Sequence, residues 1–575
     1  MHHLLPLLPC LLALACTRPP SIDPDTALDD SDPSGPSDTQ DSWDMAAGQV
    51  VYDPDRLHSV VIEVDPDDWD QLRYQQRNLL EILVGDCLEQ PFDSPYTWFH
   101  ADVTVDGERY ADVGLRKKGL VGSNSTVKPS LKIRFDEYQD GQLHDLVDRL
   151  TLNNGQQDPA VISQCLGYEL FRQAGVPASR CSFTTVEVNG EALGVFSNIE
   201  AMEPALLARW YDDPLGRLWE GQLSDFRDGW LGTFEVQEGD GDPAALEAVA
   251  AALEQPDDQL LEAIDQAVDL DQYLTFWAME VLLGHWDGYA GNSNNYFVYQ
   301  DPSDGRLDFM PWGIDALFDS TTPFGSTRPS SVVAVTALPR RLYLHQAGRD
   351  AYFARLQELL DTVWDVDAIQ ARVDAMASLV LPEADPSDGL GVAAAIDEIR
   401  SYVGWRRLTI ESELDDGPPS WDEELRGNPC LVEVGTMGAS FETTWGSYGT
   451  QDWRGYGSGS MDFSLDGTDY EIELLGALAG MPHDEATLLV VGQVEWGGLL
   501  AMLVTFPEEQ LVDGSSSTVD WSQGQAYLYY DETGTGTAFA VAGYLGNGPM
   551  VFEQAGASAG DRVRGSLDLN VYGGQ

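Results

Sequence analysis

The chain of 575 residues carries 96 acidic against 31 basic side chains, a formal net charge of −65. That balance excludes a nucleic-acid backbone as an ordinary partner, because such contacts rest on clustered Lys and Arg against phosphates. The length exceeds what a single hydrophobic core usually fills, so more than one folded unit is expected.

The first residues, MHHLLPLLPCLLALAC, form an apolar run ending in small residues before Cys16. It is too short to span a bilayer and reads as an export signal, with Cys16 as the site of lipidation or, alternatively, as part of a plain secretion signal. Ala13-Leu14-Ala15 is a loose version of the lipoprotein pattern, and no Lys or Arg precedes the run. Residues 17–48 are Pro, Ser and Asp with little to bury, and are expected to be a disordered acidic linker. The expected location is therefore extracytoplasmic, in the cell envelope or secreted, with membrane contact only through an N-terminal lipid anchor. Past Cys16 remain Cys87, Cys165, Cys181 and Cys430. They allow three disulfide pairings, and no CxxC or His/Cys cluster suggests zinc.

From residue 50 the pattern is α+β. LHSVVIEV and HADVTVDGERYADVGLRKKG alternate as strands, the second around an Asp-Gly turn, and DPDDWDQLRYQQRNLLEILV between them reads as a capped helix. SLKIRF is a further strand, DPAVISQCLGYELFRQAGV a helix stopped at Gly175, and TTVEVNGEALGVFSNIE a hairpin turning at Asn189-Gly190. An antiparallel sheet is expected at this N-terminal side. DLDQYLTFWAMEVLLG is apolar nearly all round, as a buried helix is, and helices continue from about Ala351 to Glu413. The first folded unit is thus placed at residues 50–415. Residues 427–575 switch to short Thr-, Tyr- and Val-rich runs separated by Gly, the pattern of a β-sandwich-like or barrel domain; its three arginines and lack of lysine suggest no chemistry.

All four lysines of the chain, Lys117, Lys118, Lys128 and Lys132, fall within 16 residues, against 27 arginines elsewhere and around them. The stretch from Val113 to Phe135 also contains no acid and includes Arg116 and Arg134. In so acidic a chain this reads as a site for a polyanion, with GLVGSNST able to lay backbone N–H groups on phosphates. The alternative is a basic strand pair neutralised by neighbouring acids. Lys118 and Lys132 are the first choices for phosphate contact, and Lys117, their strand neighbour, is expected to face solvent.

The segment HWDGYAGNSNNYFVYQDPSDGRLDFMPWGID, His285 to Asp315, places Asn292 five residues after Asp287. That is the Asp-x4-Asn spacing of a kinase loop, in which an aspartate accepts the proton of the attacking hydroxyl and an amide oxygen binds a metal. A buried helix precedes it, NYFVYQ and RLDFMPW can pair as strands, and Asp315 follows the second. LDFM has the letters of the kinase D-F-G motif, yet Asp308 falls within a strand and is set aside. His285 and Trp286 read as packing or loop-orienting groups, and Asp301 and Asp304 as hairpin-turn residues.

VYDPDRLHSVVIEV, GLRKKG, STVKPSLKIRF, LGVFSNIE, NSNNYFVYQ and FMPWGIDALF, in this order over residues 50–407, resemble blocks of the CotH family, the spore-coat kinase-like proteins. The resemblance implies an atypical protein-kinase-like fold that moves phosphate from ATP to Ser or Thr of a protein substrate with Mg²⁺ or Mn²⁺. It makes Asp287 the catalytic aspartate and gives Asn292, or the pair Asn294-Asn295, and Asp315 to the metal. Lys118 and Lys132, with Arg116 and Lys128, fall to the nucleotide, and Glu200 would orient a lysine or reach the metal. Many members carry Pro-Trp-Asp-x-Asp where this chain has Gly313 and Asp315, so one of two aspartates is missing. Two other readings stand beside the phosphotransferase: a surface lipoprotein that keeps the fold without turnover, in a structural or adhesive role, and a metal-dependent hydrolase using the same acids.

Overall fold

The computed structural model describes residues 46–120, 125–319, 328–384, 389–482, 486–519 and 525–574. The signal segment with Cys16, residues 17–45 of the linker, and Val121 to Asn124 of the Gly-Ser stretch lie outside the described residues.

The chain enters through β1 (Leu57–Val64), whose alternating burial sends Val60, Ile62 and Val64 inward. What reads as one helix is two short ones, α1 (Pro66–Tyr74) and α2 (Leu79–Leu83). Asp65 caps the first with Pro66 at its first turn, and Asn78 caps the second by accepting from the Leu80 N–H at 3.0 Å. The polar run Gln75 to Asn78 between them offers no apolar stripe to bury, so the helix breaks there.

β2 (Phe99–Val105), β3 (Glu108–Lys117), β4 (Leu131–Arg134) and β5 (Arg149–Asn153) follow, then α3 (Ser163–Gln173) and the hairpin β6 (Cys181–Val188) and β7 (Glu191–Ile199). These seven strands are not an open antiparallel sheet. They close into a barrel in the order β1-β2-β3-β4-β5-β7-β6, sealed by a parallel pairing of β1 with β6. Closure removes the sheet edges and lets Val103, Leu115, Ile133, Leu152 and Phe196 fill the interior.

After a short α4 (Pro204–Leu207), β8 (Arg217–Gly221) and β9 (Phe234–Glu238) begin a second sheet, completed later by β10 (Tyr296–Gln300) and β11 (Leu307–Pro311) in the order β11-β10-β8-β9. Between the two halves lie α5 (Ala244–Leu253), α6 (Asp257–Ala267), α7 (Leu270–Leu283) and the one-turn α8 (Tyr289–Asn292). From Tyr273 to Leu283 every residue of α7 is buried, which explains its apolar character on all sides. Gln272 fixes α7 against β11 with a bond in each direction, donating to the Phe309 carbonyl at 2.6 Å and accepting from its N–H at 3.0 Å. Asp308 lies in β11, as the strand pattern requires. α9 (Ala337–Leu344), α10 (Gln346–Thr362), α11 (Val366–Val380) and α12 (Gly389–Leu414) complete the core around α7.

The remaining strands, β12 (Leu431–Thr444), β13 (Ser458–Leu465), β14 (Thr468–Gly480), β15 (Ala486–Val494), β16 (Leu499–Phe506), β17 (Ser515–Val519), β18 (Ala526–Asp531), β19 (Ala540–Gly546), β20 (Gly548–Gln554) and β21 (Arg562–Gly574), form one sheet. β12 also pairs with β21 along its whole length, so the sheet returns on itself around a core of its own. Of the sandwich-like and barrel readings, the barrel-like one describes it: a single hydrogen-bonded sheet closed by the pairing of β12 with β21. The bulges in β12 and β14 supply the bends that such closure needs.

Two disulfides form among the four cysteines, Cys165–Cys181 between α3 and β6 and Cys87–Cys430 between the α2 segment and the start of β12. Beside the second, Val84 bridges Leu431, and Leu80 packs with Tyr527, Tyr544 and Tyr572 of the C-terminal sheet. No helix among the described residues is long and apolar enough to cross a membrane.

Candidate functional site

The turn from α7 into α8 is built around a buried carboxylate. Glu280 accepts the N–H groups of Tyr289 at 2.7 Å and Ala290 at 3.0 Å, satisfying the first donors of α8. Gly288 has no side chain because a Cβ there would meet Glu280 Oε1 at 2.0 Å. His285 is buried with Nδ1 3.6 Å from Glu280, a packing position consistent with its reading as a loop-orienting group. From behind, buried Asp225 accepts from the Tyr289 hydroxyl at 3.0 Å and from the N–H of Ala337 at the start of α9.

Thus braced, the loop presents Asp287 to a fan of amides. Asn292 Nδ2 donates to its Oδ1 at 2.5 Å, Asn294 Nδ2 to the same oxygen at 3.3 Å, and Asn295 Nδ2 to Oδ2 at 2.8 Å. Enclosure by surrounding atoms raises the Asp287 carboxyl above the usual range, while the Asn292 bond and the nearby His285 draw it back. The amide oxygen of Asn292 is buried and has no hydrogen-bond partner among the described residues.

Asp315 follows β11 and is buried. Burial lifts its carboxyl to about 6, with Lys118 opposing the rise and Asp287 adding to it. Asn153 Nδ2, at the end of β5, is 3.4 Å from Asp315 Oδ2 and 3.1 Å from Gln164 Oε1 in α3. The neighbouring Asn154 donates to the Lys128 carbonyl at 2.7 Å, and its N–H reaches Ser130 Oγ at 3.0 Å. Asn153-Asn154 therefore stitches the lysine segment to the aspartate pair. Asp158 lies in the same neighbourhood, its carboxyl pushed up to about 7 by burial and further by Asp315, and at the start of α3 it accepts from the Ser163 hydroxyl at 2.7 Å and the Gln164 N–H at 3.3 Å.

The lysines divide. Lys118 feels Asp315 and Glu220 against a burial that lowers its ammonium, and Lys132 is lowered to about 8 by burial and by the adjacent Arg116 and Lys118. Arg116 stands opposite Lys132 across β3 and β4, with its guanidinium 4.8 Å over the Trp98 ring. Lys128 bends the other way, donating to the Val195 carbonyl at 2.8 Å and lying over Phe196. Lys117 corrects the solvent-facing expectation. It is 0% exposed inside the barrel, donates to the Arg73 carbonyl at the end of α1 at 2.7 Å, and is lowered by burial to about 7. The alternation that sends Lys118 outward sends Lys117 into the core, because both faces of β3 are covered here.

Glu200 is also a correction. It is buried between Arg180, at 2.6 Å, and Arg209, which hold its carboxyl below the usual range against burial, and it orients no lysine. Glu220 on β8 occupies the electrostatic position expected of Glu200. Burial and Glu235 raise it to about 7, while Lys132, Arg77 and Lys118 pull it down. Sequence reasoning missed it because LWEG carries no motif; its only signal is a lone acid in a strand that pairs with NYFVYQ.

Gly313 explains its own departure from the family pattern. Its φ of +52° is left-handed, and a Cβ would lie 2.5 Å from Asn295 Oδ1. Asn295, itself at φ +53°, fills the space that a side chain at position 313 would enter. Among the described residues no group of three or more His, Cys, Asp or Glu side chains is gathered to hold a metal ion.

Residues 115–395 match the family model described as CotH kinase protein. The chain is 22% identical over 247 residues to inner spore coat protein H of Bacillus subtilis, covering 40% of this chain and 67% of that protein. It is 26% identical over 176 residues to invasin CotH7 of Rhizopus delemar, covering 28% and 30% of the two chains, and 28% identical over 177 residues to spore coat protein homolog 1 of the same organism, covering 28% and 29%. It thus spans about two thirds of the bacterial relative and under a third of the two fungal ones. Among solved structures, the Helicobacter pylori proinflammatory kinase CtkA is similar over 54% of this chain and 93% of that one, at 10% identity and a TM-score of 0.23.

Proposed function

We propose, from the chain's membership of the CotH kinase family through residues 115–395, that it is a phosphotransferase moving the γ-phosphoryl group of ATP to Ser or Thr of a surface or exported protein. The observation that carries the reading is a convergence. Lys118, almost 200 residues before Asp315 in the chain, lies close enough to it for the two charges to interact; Asp315 in turn feels Asp287, and Lys132 feels Lys118, so the four form a chain of charged neighbours. Barrel and helical region meet there, so a polyphosphate bound between them would face cations on one side and carboxylates on the other.

In this reading Asp287 accepts the proton of the acceptor hydroxyl as its oxygen bonds to the γ-phosphorus and the bond to the β,γ-bridging oxygen breaks, leaving ADP. The three asparagine amides hold the Asp287 carboxylate oriented and its lone pairs directed. Lys118 and Lys132 neutralise the phosphates, and the nearby Glu220 carboxylate favours the charged form of both ammonium groups against their burial. A divalent cation fits the residues present. Asp315 offers a carboxylate and Asn292 a buried amide oxygen without a partner among the described residues, and Mg²⁺ commonly takes one or two protein oxygens and completes its shell with phosphates and water. Such an ion would neutralise charge on the phosphates. Asn295 is engaged with Asp287 and packed against position 313, so it serves the aspartate and not the metal.

The relatives' names place them on spore coats and as invasins, which supports an extracytoplasmic location for this chain as well. The test is incubation of the full chain with γ-labelled ATP, Mg²⁺ or Mn²⁺ and protein acceptors. Label on Ser or Thr, lost in both Asp287→Ala and Asp315→Ala, is the expected result; a protein that binds no nucleotide would overturn the reading.

A further inference from the structure

We propose that Arg426, beyond the family-matched region, is a positioning residue for the Asp287 loop, delivered by a strap that runs from the end of the helical region to the C-terminal sheet. The consequence for catalysis rests on the phosphotransfer reading; the positioning itself does not. Arg426 Nη1 donates to the Asn292 carbonyl at 2.6 Å, at the last residue of α8, where helix carbonyls lack partners. Asn292 is the residue whose amide makes the 2.5 Å bond to Asp287. One guanidinium thus holds the backbone of the amide that orients the carboxylate, and lies close enough to Asp287 for the two charges to interact.

The strap is fixed along its length. The Tyr343 hydroxyl of α9 donates to the Pro419 carbonyl at 2.6 Å, Trp421 is buried in the helical core, and Glu423 pairs with Arg328 at 3.0 Å. The Arg426 N–H reaches the Val335 carbonyl at 2.8 Å, and its own carbonyl accepts from Arg227 at 2.6 Å. Arg227 in turn pairs with Asp225, the carboxylate that braces Tyr289 from behind. At its far end the strap is tied covalently by Cys430 to Cys87. The Asp287 loop is therefore clamped from two sides, by Glu280 from the preceding helix and by Arg426 from a segment that follows the helical region by sequence and precedes the C-terminal sheet.

The experiment compares the full chain with Arg426→Met, Arg426→Gln and Arg426→Lys by hydrogen exchange of the peptide covering residues 285–296, whose Asn292, Ser293 and Asn294 amides bond within the loop. Alongside it run ATP turnover kinetics. Exchange of this peptide should quicken roughly tenfold in Arg426→Met with the rest of the chain unchanged, and return towards wild type in Arg426→Lys, which restores a charged donor. The kcat should fall roughly tenfold with the KM for ATP held. If Arg426→Met does not fold, Arg426→Gln, which keeps a neutral donor, should show the same local change at smaller size. Unchanged loop exchange, or a uniform increase over the whole chain, overturns the proposal. Quickened loop exchange in a protein whose wild type transfers no phosphate supports the positioning and overturns the phosphotransfer reading alone.

Discussion

Single residues decide whether the site can turn over, and Gly313 is the sharpest case. Its left-handed backbone and the Asn295 amide 2.5 Å from a notional Cβ mean that returning the missing aspartate would strain the backbone and displace Asn295. Gly313→Asp should lower stability by about 1–3 kcal/mol, from strain and displacement of Asn295, and should not raise phosphate transfer. Denaturant midpoints and the labelling assay check both, and a gain in transfer would show that the aspartate, not Asn295, belongs there. Lys132 makes a pH prediction. Its ammonium is lowered to about 8, so the free site loses that charge as pH rises through 8, while bound phosphate would hold the proton on. ATP affinity should therefore fall between pH 7 and 9, and titration calorimetry should find that slope flattened in Lys132→Met. Residue types read singly misled elsewhere. The clustering of four lysines is visible in the sequence, but which of them turn inward is not, since burial of both faces of β3 is a tertiary fact. Glu200 and Glu220 are equally plausible acids until the two arginines around Glu200 are seen.

At the scale of elements, local pattern and local structure agree wherever periodicity is strong. The hairpins at Asp106-Gly107, Asn189-Gly190 and Asp301 to Gly305, and the all-round apolar α7, stand where the residues put them. The split of α1 from α2 was hidden because capping residues and helix formers run continuously through QQRN, and only the lack of an apolar stripe separates them. Barrel closure was hidden for a different reason: the parallel pairing of β1 with β6 joins residues more than 120 positions apart. The Glu280 carboxylate of α7 holds the loop carrying Asp287 through the Tyr289 and Ala290 N–H groups. Removing that carboxylate leaves two buried N–H groups without acceptors, each of which costs on the order of 1–3 kcal/mol. Glu280→Ala should accordingly unfold about 2–5 kcal/mol more easily, measured by chemical denaturation; a loss below 1 kcal/mol would mean that α8 is held by Asp225 and Arg426 without it.

For the whole molecule, the site is a product of assembly. The barrel brings Lys118 and Lys132, the end of β5 brings Asn153, the helical region brings Asp287 and Asp315, and the strap behind brings Arg426. The sequence displayed the first and third contributions as motifs. It did not display the second and fourth, because Asn153-Asn154 looks like an ordinary turn and Arg426 is one of 27 arginines. The C-terminal sheet enters this assembly through the Cys87–Cys430 bond and the tyrosine cluster beside Leu80, which anchor the strap. The most direct measurement is a crystal structure of the full chain with Mn²⁺ and a non-hydrolysable ATP analogue. The expected result is a triphosphate lying between Lys118 and Lys132 on one side and Asp315 on the other, with the γ-phosphorus facing Asp287. A nucleotide bound elsewhere, or none bound at saturating concentration, would contradict the phosphotransfer site.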